Sequence, residues 1–205
     1  MKKAGEKIAS VILLGCSLAV FVGCITPGGG RYVKNVQVHP RLKFSPPLST
    51  YNIPLRIVIA DSVSEKVTVI RGRGHVKITI NNFRRAVAKL LGQTFAGNFK
   101  KVEVLPARKN KGAELYIANV SIDKTVAFMH FHTALFYDGK LINETKGKVG
   151  APQRVIHTTV FTWKKVLADV TLKNSQENLE RFAEKVSNWI LLNEKLRDFW
   201  KKKSK

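Results

Sequence analysis

His130 and His132, two residues apart, have a type and spacing that suggest chemistry. On an extended strand, residues i and i+2 share a face, so both imidazoles could be presented to one metal ion. A site also needs a third ligand and an outer layer of hydrogen bonds. His39, His75 and His157 stand in other segments without matched spacing. The pair is therefore read as core or partly buried histidine, and no metal and no cofactor is expected. Asp61 and Glu65 sit where a strand ends and are close enough to pair, but nothing marks one as acid and the other as base. No GxSxG, HExxH, Walker A, GxGxxG or CxxC motif is present, so the expectation is a protein that is not an enzyme.

Cations are the other group able to do chemistry. The 205 residues hold 36 Lys+Arg against 14 Asp+Glu, a formal charge of +22. With 44% hydrophobic residues the chain is too apolar for a disordered polycation. Between Arg71 and Lys111 eleven basic residues face one acid, Glu103. Arg71 and Arg73 lie in an Arg-Gly-Arg-Gly stretch that reads as a turn. Arg84 and Arg85 fall in the first turn of a predicted helix, where the dipole disfavours cations and free N–H groups can seat an anion. Lys201, Lys202 and Lys203 follow Phe199 and Trp200, a combination suited to an anionic membrane surface. The competing reading has those two aromatics finishing the core. Such a field attracts polyanions.

The amino-terminal segment indicates which polyanions are available. Lys2, Lys3 and Lys7 precede an uncharged run of fifteen residues, Ile8 to Val22. A helix needs about 20 apolar residues to cross a bilayer, so the run reads as an export signal. Phe21-Val22-Gly23-Cys24 resembles the lipobox of bacterial lipoproteins, with Phe21 where leucine is usual. The resemblance implies cleavage before Cys24 and acylation, palmitate included, of its thiol. Leu13-Leu14-Gly15-Cys16 is a rival box with a much shorter apolar run. Removing residues 1–23 would leave Cys24 as the sole cysteine, suiting an oxidising compartment. Residues 24–35, with Pro27 and three glycines, read as a flexible tether before a domain over 36–205. Export argues against nucleic acid as the partner. Uncharged Ile25 implies, by the same resemblance, sorting to the outer membrane on its periplasmic side.

The domain must then be built from short elements. Leu55–Ile59 reads as a strand, and Lys66–Ile70 with His75–Ile80 as a hairpin. Asn81-Asn82 is expected to cap a helix carrying Phe83, Val87, Leu90, Leu91 and Phe95, with Gly97 as its stop. Strands follow at Lys101–Leu105 and Glu114–Ile122. Val126–Tyr137 is apolar on both faces and predicts a central strand covered on each side. Asp138-Gly139 turns it into Lys140–Lys148. Arg154–Leu172 fits strand and helix alike, its β-branched residues favouring a strand at the start. Asn174-Ser175 is expected to cap a helix with Leu179, Phe182, Val186, Trp189 and Ile190 on one face. That helix continues or breaks near Asn193.

This order and spacing resembles small envelope lipoproteins, the YajG-type lipoproteins and more distantly LptE, through residues 60–62, the strands to Ile80 and the helix Phe83–Phe95. The fold expected is α+β, a mixed or antiparallel sheet packed by two main helices. The resemblance implies a membrane-anchored protein that assists envelope assembly or transport through an envelope protein partner. The alternative is a module binding anionic glycolipid or wall polymer through Arg71, Arg73, Arg84, Arg85 and the Lys201–Lys203 tail.

Overall fold

The structure, a computed structural model, describes residues 32–72, 75–123, 126–152, 159 and 162–204. The expected signal, Cys16, Cys24 and most of the tether lie outside these residues, as do Arg73 and residues 153–158.

Among the described residues, eight strands form two mixed sheets. β1 (Tyr32–Val36), β4 (Val76–Ile80) and β3 (Val67–Arg71) make a three-stranded sheet in that order. β5 (Phe99–Leu105), β2 (Tyr51–Ile59), β6 (Ala113–Ile122), β7 (Phe128–Tyr137) and β8 (Lys140–Gly150) make a five-stranded one. β2 runs parallel to β5 and β6, while β6, β7 and β8 are antiparallel neighbours. Three helices pack on them: α1 (Phe83–Phe95), α2 (Trp163–Leu192) and the short α3 (Glu194–Lys203). The α+β expectation is met, with two sheets in place of one.

Local chemistry explains several elements. Asp138 and Gly139 both have positive φ, 47° and 78°, which a two-residue turn between right-twisted strands requires. Phe83, Val87, Leu90, Leu91 and Phe95 are all buried, as their 3.6-residue period predicts. Asn193 ends α2 in an extended conformation and its side chain accepts from the Leu196 N–H, so one asparagine breaks one helix and caps the next. α3 then carries Glu194 in its first turn and Lys201–Lys203 in its last, matching the helix dipole.

Four expectations need correction. The first concerns the tether: residues 32–35 form most of β1, which pairs in parallel with β4 from Tyr32↔Val76 to Val36↔Ile80. That partner comes some forty residues later, so no local pattern signals it. The second concerns Asn174-Ser175, which does not start a helix. α2 is continuous from Trp163, and the Ser175 and Thr171 hydroxyls donate to the carbonyls of Thr171 and Leu167, at 2.9 and 2.7 Å. Back-bonding to residue i−4 lets them sit inside a helix, and Trp163–Leu172 is helical. The third concerns Asn82, whose side chain does not cap α1. The fourth concerns β7, which is covered on one face only. Met129, Phe131, Thr133 and Leu135 face the helices, whereas Phe128 is 41% exposed on the other side. His130 is exposed there and His132 half-exposed, so neither is a core residue.

α1 packs on β2 and β5, α2 on β7, β8 and the smaller sheet, and α3 on the start of β2. One continuous core joins the two sheets, from Ile78 and Ile80 through Leu55, Ile57, Leu115 and Phe182 to Trp200. Trp200 is fully buried, donates through Nε1 to the Ile190 carbonyl at 3.1 Å, and meets the rings of Tyr51, Phe99 and Phe199. The C-terminal aromatics therefore complete the core. No described helix is long and apolar enough to cross a membrane.

Candidate functional site

Of the cations singled out from the sequence, Arg71, Arg84 and Lys201–Lys203 lie apart, and Arg73 is outside the described residues. Arg71 ends β3 opposite Val76, and β4 leads to Arg84 from its far end, where Ile80 pairs with Val67. At about 3.3 Å per residue the hairpin holds Arg71 and Arg84 roughly 15 Å apart. Arg84 is also engaged: its Nη2 donates to the Ile59 carbonyl at 2.6 Å and to Asp61 Oδ1 at 2.9 Å. The guanidinium therefore closes the end of β2, and Asp61 pairs with Arg84. Lys201–Lys203 lie at the opposite end of β2. Lys201 lines a recess with Tyr51, the first residue of that strand, and Lys203 Nζ is 4.5 Å from the Tyr137 ring centre. Arg84 and the tail are separated by about 25 Å of strand.

Arg85 does find company, with residues the sequence did not single out. The segment 37–42 runs beside α1 as a strap. Asn82 pins one end: the Val38 N–H donates to Asn82 Oδ1 and Asn82 Nδ2 donates to the Val38 carbonyl, both at 2.9 Å. A primary amide thus completes both backbone groups of a buried residue, as a neighbouring strand would. Glu180 on α2 pins the other end, accepting from the Arg41 N–H at 3.2 Å and pairing with Lys43 Nζ at 2.7 Å. Between strap and helix lies a groove of about 650 Å³, lined among others by His39, Arg41, Leu42, Arg85, Lys89 and Gln93. Asn82, Arg85, Lys89 and Gln93 recur at i, i+3, i+7 and i+11, a single stripe along α1.

No carboxylate lines this groove. Arg41, Arg85 and Lys89 are exposed, and none of the ion pairs among the described residues involves their side chains. α1 adds no acid in its first turn and no side-chain cap. Farther along the strap the lining becomes mixed: Lys43, Phe44 and Arg181 border a recess with Glu177, Glu180 and Glu184.

The outer face of the five-stranded sheet carries a second polar cluster. Glu114 is fully buried, with Oε1 accepting from the Lys109 N–H at 2.7 Å and Oε2 3.4 Å from Arg108 Nε. The Arg108 guanidinium lies 3.5 Å from the centre of the Phe136 ring, so a cation stacks on one aromatic of the face expected to meet another layer. Farther along, His132 Nε2 is 2.9 Å from Glu144 Oε2. That hydrogen bond, followed by the charge of Lys146, holds the Glu144 carboxyl below the usual carboxylate range. His130 shares the face, as the i, i+2 spacing predicts, but among the described residues no three of His, Cys, Asp and Glu gather as metal ligands.

No protein-family model matches the sequence, and no curated protein does. Its structure is similar to that of a Xanthomonas campestris protein of the DUF330 family, with a TM-score of 0.51 at 11% identity over 77% of this chain and 95% of that one. The two share a fold. A minor lipoprotein from Acinetobacter baumannii aligns at a TM-score of 0.40 and 8% identity, over 70% of this chain and 94% of that one. Lipoprotein B from Nitrosomonas europaea aligns at 0.36 and 9%, over 78% and 97%. Likeness at this level of identity relates folds and not activities, and the last two scores are too low to support any argument.

Proposed function

We propose that the chain is a lipid-anchored bacterial envelope protein that acts by contact and not by catalysis, assisting envelope assembly or transport. The observation that carries this reading is the lipobox-like Phe21-Val22-Gly23-Cys24, which ends a fifteen-residue uncharged run behind a basic start. The described fold is consistent with it. β1 begins eight residues after Cys24, and no cysteine follows that position. The short segment between would hold the domain close to a membrane surface, leaving a partner within reach. Outer-membrane placement rests on Ile25 alone.

The test is metabolic labelling of the full chain in a bacterial host with an alkyne fatty acid, with mass spectrometry of the amino-terminal peptide. Cys24→Ala should abolish labelling and leave a longer chain, while Cys16→Ala should leave labelling intact. Label that survives Cys24→Ala would overturn the reading. A second reading, binding of an anionic envelope ligand, is favoured by the groove beside α1, which contains Arg85 of the cations named in the sequence analysis together with Arg41 and Lys89.

A further inference from the structure

We infer that the groove between the 37–42 strap and α1 is a binding site for a phosphate group carried on a compact ligand, held by Arg41, Arg85 and Lys89. The inference rests on the second reading for its ligand class and makes no use of Cys24.

Three features of the groove select the ligand. Charge is the first. Arg41, Arg85 and Lys89 border the cavity with no carboxylate in its lining and no ion pair to a described residue, so an anion entering it meets three cations and no lining acid. Arginine provides a planar fork of N–H donors that matches phosphate oxygens, and lysine a compact point charge. Shape is the second. The cavity is concave and its volume of about 650 Å³ falls in the range of small-molecule sites. Its two ends are pinned by the Asn82–Val38 and Arg41–Glu180 hydrogen bonds, so the cations start from a fixed backbone.

The third feature is the limit set on length. Beyond Leu42 the strap borders a recess whose three carboxylates, Glu177, Glu180 and Glu184, outnumber its two cations, Lys43 and Arg181, so an extended polyanion following it would leave an all-cationic lining and meet carboxylate repulsion within a few residues. A compact phosphate avoids that repulsion, whereas a wall polymer does not. Val38, Pro40, Leu42, Ala86 and Leu90 also line the cavity and give it an apolar side. The site can therefore take a phosphate on a lipid or a free phosphate.

The full chain in an uncharged detergent can be titrated by phosphorus NMR with two probes, inorganic pyrophosphate and dodecyl phosphate in mixed micelles. Two charge-matched variants separate a site from a general field: Arg41→Gln/Arg85→Gln/Lys89→Gln in the groove, and Lys201→Gln/Lys202→Gln/Lys203→Gln on α3. The groove variant should bind roughly tenfold or more weakly, the scale of one lost charge-assisted hydrogen bond, and the tail variant should stay within about twofold. All the substituted side chains are exposed, and an unchanged thermal midpoint for both variants shows that folding is intact. Tighter binding of dodecyl phosphate identifies a lipid headgroup, and preference for pyrophosphate a free phosphate; either supports the site. Equal weakening in both variants, or loss only in the tail variant, overturns the groove while leaving anion binding by this protein in place. Absence of binding by the unmodified chain overturns the groove and the second reading together.

Discussion

Replacing Asn82 tests whether a side chain or local helix chemistry organises the groove. Asn82 accepts from the Val38 N–H and donates to the Val38 carbonyl at 2.9 Å each, and Val38 is 1% exposed. Asn82→Ala leaves two backbone groups without partners where water has poor access. At about 1–3 kcal/mol for each buried unsatisfied group, partly relieved by movement of the strap, the loss should be about 2–4 kcal/mol. The informative variants are Asn82→Asp and Asn82→Ser. Both are good helix caps and would restore stability if residue 82 served α1. Neither supplies the amide donor that the Val38 carbonyl needs, and Asp sets a carboxylate against that carbonyl. Asp should therefore be no better than Ala, and Ser only slightly better. Urea denaturation gives the energies, and hydrogen exchange at the Val38 amide reports the strap directly. Full recovery with Asp or Ser, or an Ala variant within about 0.5 kcal/mol of the parent with Val38 still protected, would refute the clamp.

Trp200→Ala should destabilise by about 3–5 kcal/mol in urea denaturation, because a fully buried indole with a hydrogen bond to Ile190 leaves a cavity at the junction of α2, α3 and β2. A loss below about 1 kcal/mol would return the C-terminal aromatics to the surface role suggested by their basic neighbours. Gly72→Ala should lower the thermal midpoint, since φ is +57° there and a Cβ would come within 2.9 Å of the Trp163 ring. An unchanged midpoint would mean that the hairpin does not pack on α2 as described. Glu144 should titrate below an ordinary glutamate in carbon-detected NMR. Because its folded value is lowered, the pairing favours the folded state above the usual carboxylate range and is lost as pH falls through the folded value. His132→Ala should move the Glu144 midpoint upward, and no movement would show that the hydrogen bond is not its main cause.

Local signals fixed a good part of this molecule. The Phe83–Phe95 periodicity, the Asp138-Gly139 turn and the antiparallel pairing of Val67–Arg71 with Val76–Ile80 each depend on interactions a few residues long, so composition and spacing suffice to place them. The cysteine pattern and the uncharged run before it are likewise linear features, and the anchoring proposal rests on them alone. Where the sequence misled, the deciding partner was remote. β1 exists because β4 pairs with it, Asn82 serves Val38 and not its own helix, and the outer side of β7 meets Arg108 at Phe136 instead of a second layer.

The site shows the same division. Arg84 and Arg85 are adjacent and look equivalent in the chain. A one-residue step turns a helical side chain through about 100°, enough to send one to Asp61 and the other into the groove. Lys89 was legible at i+4 from Arg85, but Arg41 and His39 reach it only through a strap held by two long-range hydrogen bonds. The sequence by itself determined how much positive charge the protein carries and supplied the lipobox-like segment on which the anchoring proposal rests. Tertiary structure alone decided which cations meet, because charge density depends on distances across the fold and not on order along the chain.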